Sequence, residues 1–261
     1  MKKNYAYALL SAFLLWLSWP PMPFTAPLLF VALVPILLAV ENILNHEKLQ
    51  KGRKIFRVSF LCFVVWNTAC IFWVFNSLHA VMPTWMAAII SIIPFGLGAL
   101  LMATAFWLYY RMRRVSSRWW SYAALICFWL GYEYLHQTWD LSFPWMNLGN
   151  GFAGMHSLIQ WYEFTGVYGG TYWVLMSNIL IFETYLALKA SPKLNKHHGQ
   201  LILRSALHIL IPVVISLVMY YQYQERPNPA NVIVVQPNVD PYAKFSSLSS
   251  SEQVASLIRL S

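Results

Sequence analysis

The chain has 261 residues, of which 59% are hydrophobic and only 10% charged, and its mean hydropathy is +0.51. A soluble domain carries about 25% charged residues, so this composition excludes a water-soluble globular fold and fits segments that must be apolar all round to cross roughly 30 Å of hydrocarbon. The net charge of +9 sits in clusters between apolar runs with no aromatic stacking platform interleaved, which excludes a nucleic-acid-binding surface.

In chain order, the first apolar run is Tyr5–Trp19, after Lys2 and Lys3. A cleaved leader would start in this way, but no small-residue cleavage site follows and further apolar runs do. Ala26–Val40 is the second run, joined to the first by Pro20-Pro21-Met22-Pro23; each run makes a helix of about 22 Å, short for a span. Val58–Leu78, Pro83–Tyr110, Trp119–Leu135, Gly169–Leu188 and Leu201–Tyr221 complete a set of seven expected transmembrane helices in a domain covering residues 1–221. The cations supply an orientation. With the N-terminus inside, the inner face receives the N-terminal tail and residues 41–57, 111–118 and 189–200, which with Arg204 hold 15 of the 18 Lys and Arg, while the connections near 20–25, 79–82 and 136–168 hold none. A missed helix would invert every later loop, so the split supports seven spans with the N-terminus in and the C-terminus out.

The connection from His136 to Tyr168 contains Phe143, Pro144, Trp145, Phe152, Trp161 and Phe164 together with Gly149, Gly151 and Gly154. It is too broken for a spanning helix and too apolar for a solvated loop. The expectation is a segment in the outer interface, either a simple aromatic anchor or the lid or floor of a lipid cavity. After a polar linker at 222–230, residues 231–236 read as a short β-branched strand, Pro237 ends it, and a capping box of Ser250 and Gln253 opens a helix. A strand followed by a helix is the opening of a parallel α/β sheet that some 30 residues cannot bury. Residues 231–261 are therefore expected to be the start of a truncated α/β domain.

Several stretches resemble the membrane half of the bacterial apolipoprotein N-acyltransferase family. They are Leu14-Leu15-Trp16-Leu17-Ser18-Trp19-Pro20-Pro21, Leu33-Val34-Pro35-Ile36-Leu37-Leu38, Glu133-Tyr134-Leu135, Phe143-Pro144-Trp145-Met146-Asn147-Leu148-Gly149, Gly166-Val167-Tyr168-Gly169 and Val232-Ile233-Val234-Val235-Gln236-Pro237-Asn238. The wording of the last stretch through Tyr242 resembles the Bacteroidetes branch. The resemblance implies a multi-pass protein of the bacterial inner membrane with a periplasmic tail. Its partners would be membrane lipids, with a phospholipid as acyl donor and the N-terminal diacylglyceryl-cysteine of a lipoprotein as acceptor, and no cofactor. Acyl transfer by a Cys thioester would reside in a nitrilase-like domain whose Glu, Lys and Cys are expected beyond Ser261, so the 261 residues would be an inactive scaffold. Cys62, Cys70 and Cys127 lie in apolar runs without His or carboxylate partners and are read as small buried hydrophobes.

Two positions depart from the family pattern: His136 stands where many members have Arg, and Phe245 where a Trp is common. Trp145 is the first candidate for lipid contact, followed by Phe143 and Phe245. Glu133, an ionisable group at membrane depth, is either a fourth site residue or a structural carboxylate bonded to a neighbouring helix. Glu183 is expected to pair with Lys189 or reach the headgroups. The histidines show no metal-ligand spacing. A membrane platform for a polyprenol-phosphate glycosyltransferase and a transporter are the alternatives; the second is disfavoured by the lack of internal repeats and of paired ionisable residues deep in the spans.

Overall fold

The computed structural model describes residues 1–22, 24–191, 193–224, 234–239 and 249–260, and every regular element among them is helical. Helix α1 is Lys2–Leu17; a 3-10 turn at Ala26–Leu28 leads into α2 (Leu29–Ala32) and α3 (Val34–His46). Then follow α4 (Lys51–Ile71), α5 (Trp73–His79), α6 (Thr84–Arg113), α7 (Arg118–Thr138), two 3-10 segments at Pro144–Met146 and Leu148–Leu158, α8 (Tyr162–Ala190), α9 (Lys196–Gln222) and α10 (Ser250–Leu260). Helix α1 packs on α3 and α4, α4 on α6, α6 on α7, and α8 on α2, α3, α7 and α9.

All seven expected runs are helical, with shifted bounds. Five stretches, Ala26–His46, Lys51–Ile71, Thr84–Arg113, Tyr162–Ala190 and Lys196–Gln222, are long and apolar enough to cross a membrane. The second run is thus longer than its sequence reading, continuing to His46. Helix α1 has 16 residues and α7 has 21, the latter diluted by Arg118, Glu133, His136 and Gln137.

The break between α2 and α3 shows how the bundle tolerates proline. Pro35 has no N–H to give the helix, and two side chains enter the ladder on either side of it. The Ser11 hydroxyl donates to the Ala32 carbonyl at 2.6 Å and accepts from the Ile36 N–H at 3.1 Å. The Asn178 amide accepts from the Leu33 N–H at 2.8 Å and donates to the Leu29 carbonyl at 2.7 Å. Each side chain bridges one pair of backbone groups that an unbroken helix would have joined directly, so these four polar atoms of the break stay paired in an apolar core. Aromatic rings fill the centre: Phe63 lies 5.3 Å from Trp129 and 5.4 Å from Phe106, and Trp66 meets Trp19 edge-on at 5.1 Å.

At the end where the cations gather, Arg118 Nη1 meets Glu41 at 3.0 Å and its Nε meets Glu183 at 2.5 Å, while Arg113 reaches Glu41 at 3.6 Å. The Tyr122 hydroxyl also donates to Glu183. This corrects the expected pairing of Glu183 with Lys189. Six residues along a helix is roughly 240° around its axis, so Lys189 points elsewhere, whereas Arg118 opens the neighbouring helix at the same level. Its fork suits two carboxylates at once.

In the tail, α10 begins at Ser250 as expected, but the capping box is one residue earlier. Ser249 N–H donates to Glu252 at 2.8 Å and the Glu252 N–H returns to the Ser249 hydroxyl at 3.3 Å; the Ser249 hydroxyl, which donates to the carboxylate at 2.7 Å, and the Ser249 N–H hold the Glu252 carboxyl below its usual range. The first half of the expected strand, 231–233, lies outside the described residues, and Val234–Gln236 has no regular secondary structure.

Candidate functional site

The segment between α7 and α8 is buried along one face. Met146, Leu148, Gly149, Gly151 and Phe152 are buried, and the Phe152 ring packs at 5.3 Å from Phe30 and 5.0 Å from Trp173. Its 3-10 turns give it a compact inner face, while Trp145, Leu141 and Phe164 remain on the outside.

Glu133 holds this segment in place. Its fully buried carboxylate accepts from Trp129 Nε1 at 3.0 Å, from the Leu148 N–H at 2.9 Å and from the Thr171 hydroxyl at 2.7 Å. Thr171 in turn accepts from the Gly149 N–H at 3.0 Å, and the Tyr162 hydroxyl donates to the Gly149 carbonyl at 3.1 Å. One carboxylate therefore binds α7, the 3-10 segment and α8 in a network whose donors are all matched. Close backbone approach completes it: a Cβ on Gly149 would collide with the Val167 carbonyl, and one on Gly170 would lie 3.0 Å from the Gly149 Cα and overlap the Tyr162 hydroxyl. Gly166, at φ +63°, supplies the left-handed residue that turns the chain into the long straight part of α8.

Beside this clasp a cavity of about 570 Å³ opens at the end of the bundle away from the cation clusters. Trp145 and Trp73 form its aromatic wall, with Pro20 and Pro21 from the tip after α1, Ile71 from the end of α4, and Asn150. The rings of Trp73 and Trp145 meet edge-on at 5.6 Å, and Phe143 stands 6.4 Å from Trp73 and 6.5 Å from Trp145. Trp145 is 59% exposed, so its ring is offered to whatever enters. An apolar concavity with few polar groups is suited to a hydrocarbon chain.

The sequence candidates therefore separate. Trp145 and Phe143 are brought together; Glu133 is sealed behind them as the anchor of the segment; Phe245 lies outside the described residues. Trp73 was missed because it falls inside the apolar run Val58–Leu78, where a ring is ordinary; the break between α4 and α5 that places it is seen only in the structure. Thr171 and Trp129 carried no signal, since their roles exist only relative to Glu133. Among the described residues no three His, Cys, Asp or Glu side chains gather where a metal ion could be held.

Residues 11–180, which carry the clasp and the cavity, match the family model described as the apolipoprotein N-acyltransferase N-terminal domain. A curated protein of Chlorobaculum tepidum named apolipoprotein N-acyltransferase is 27% identical over the whole of this chain and 46% of its own length. One of the same name from Geobacter metallireducens is 26% identical over the whole chain and 48% of its own length. The chain thus spans about half the length of these curated relatives, and no solved structure matches it. With more than half of its residues under that one domain model, the chain belongs to the apolipoprotein N-acyltransferase family, in the part occupied by its N-terminal domain.

Proposed function

We propose that this chain is the membrane scaffold of an enzyme that transfers an acyl chain from a phospholipid to the N-terminal diacylglyceryl-cysteine of lipoproteins. The observation that carries the reading is the position of the aromatic cavity within the matched family domain. Trp145 and Trp73, backed by Phe143, give the acyl chain an apolar wall, and Glu133, through Leu148 and Thr171, holds the segment that carries Trp145 and Phe143 on the bundle. The acyl-transfer chemistry belongs to a nitrilase-like domain beyond Ser261, where a Cys thiolate takes the acyl group as a thioester and the lipoprotein amine then receives it. In this division of labour the chain supplies lipid binding and that domain the nucleophile. Expressed in a host depleted of its own enzyme, it is expected to leave a model lipoprotein diacylated by mass spectrometry. Joined to the C-terminal half of the Chlorobaculum tepidum relative, it is expected to yield the triacylated form. A triacylated product from the 261 residues alone, or none from the fusion, would overturn this division of labour.

The orientation follows from the charge split: seven spans, the N-terminus and cation clusters on the cytoplasmic face of a bacterial inner membrane, and the tail periplasmic. A reporter that is active only after export should work when fused after Ser261 and fail when fused at Asn195. Activity in the reverse pattern would exclude the seven-span arrangement.

A further inference from the structure

The end of the bundle opposite the aromatic cavity holds a second one, of about 610 Å³, lined by Lys48, Lys51, Arg113 and Arg114 together with Gln50 and Tyr110. Its four cations come from two connections more than 60 residues apart, which meet because α4 begins beside the place where α6 ends. No carboxylate lines it. Of the nearest, Glu47 is committed to Lys54 at 2.5 Å, and Glu41 bridges Arg113 of the cavity wall to Arg118. The Lys54 hydrogen bond holds the Glu47 carboxyl below its usual range, so Glu47 keeps its charge for that pair. Lys51 is oriented by a 2.6 Å bond from its Nζ to the Leu44 carbonyl. Among the described residues, Lys48 and Arg114 have no carboxylate partner.

Cations that act only as topology signals need to be numerous on one face; they have no reason to converge on a concavity, where like charges repel. Lys48 and Arg114, which converge there with no carboxylate of their own, call for an anion. We propose that this cavity is a binding site for the phosphate of an anionic phospholipid in the adjoining leaflet. Lys48 and Arg114 supply the uncommitted charge, Lys51 and Arg113 are held in place beside them, and Tyr110 and Leu44 give an apolar wall below the headgroup. Leu49, 76% exposed in the adjoining connection, stands where it can enter the same leaflet. A zwitterionic headgroup is disfavoured because its ammonium would find no carboxylate. The proposal rests on the membrane reading above but not on acyl transfer, and the site lies at the other end of the bundle from the aromatic cavity.

The test is native mass spectrometry of the purified chain in neutral detergent, titrated with phosphatidylglycerol, with phosphatidylcholine of the same acyl chains, and with inorganic phosphate. Phosphatidylglycerol is expected to bind about tenfold to thirtyfold more tightly than phosphatidylcholine, the difference that two uncommitted cations near a charged headgroup supply. Lys48→Gln with Arg114→Gln should remove that preference, and Arg114→Glu alone should reduce it at least tenfold. Lys193→Gln with Lys196→Gln, two exposed cations on the same face, should leave it intact. All variants alter exposed side chains, and their recovery from the membrane fraction is scored alongside, so loss of the site is read separately from loss of the membrane reading. An equal loss in the Lys193 and Lys196 variant would show diffuse surface charge and overturn the site. So would the absence of a preference for phosphatidylglycerol, or its displacement by millimolar inorganic phosphate, which would assign the cavity to the free anion.

Discussion

Glu133→Ala is expected to destabilise the chain by roughly 3–6 kcal/mol, because three donors lose their acceptor in a buried place and each such loss is worth about 1–2 kcal/mol. The Trp129 indole, the Leu148 N–H and the Thr171 hydroxyl all end on this carboxylate. The effect should reach beyond the site, since Thr171 also holds Gly149. Thermal unfolding in detergent measures it, with a fall of the midpoint on the order of 10 °C. Glu133→Gln is the informative partner. Its carbonyl can still accept from Trp129 and Leu148, and only the bond with Thr171 must be rearranged, so the loss should be about 1 kcal/mol. An unchanged midpoint in the Ala variant would remove Glu133 from its role as anchor. If the Gln variant folds normally but abolishes acyl transfer in the longer enzyme, the negative charge itself is required, and Glu133 belongs to the lipid site rather than behind it.

Trp145→Ala is expected to slow acyl transfer in the longer enzyme by roughly 30- to 150-fold, with insertion and folding preserved. A ring of this size buried against an acyl chain contributes about 2–3 kcal/mol, and that range gives the fold-change if the contact is present in the transition state. Folding should be spared because the ring is 59% exposed and its ring partners among the described residues are Trp73 and Phe143. Turnover normalised to folded protein is the measurement. If Trp145 is merely an interfacial anchor, turnover per folded molecule stays the same and the loss appears in membrane insertion. Trp145→Phe separates size from bulk polarity: it should recover most of the rate, since the chain needs an apolar surface rather than the indole N–H.

The helical bundle was legible in advance because apolar runs bounded by Lys and Arg clusters are a one-dimensional signal. Each run had to become a helix, since a backbone in hydrocarbon satisfies its own polar groups in no other local way. The bounds were less legible. Lys51, Arg53, Lys54 and Arg57 look like loop residues by charge, yet they form the first turns of α4, because helical hydrogen bonding does not stop where apolarity does. The motif from Phe143 to Gly149 was also visible as an aromatic and glycine pattern. Its burial was not, because burial depends on Glu133 and Thr171, which stand 15 and 22 residues from the backbone groups they bind.

From sequence alone came the membrane class, the family resemblance and the choice of Trp145 and Phe143 as candidates for lipid contact, all of which depend on residue type and order along the chain; of the two, Trp145 lines the cavity and Phe143 stands behind its rings. Tertiary structure alone decided that Glu133 is an anchor, that Glu183 pairs with Arg118, that Trp73 and the Pro20-Pro21 tip face the same cavity as Trp145, and that four cations close around a second one. The reason is common to all four. A pairing between distant residues is set by which helix faces meet, and that is fixed by packing across the bundle, where side chains such as Ser11 and Asn178 settle the path of the backbone around a proline.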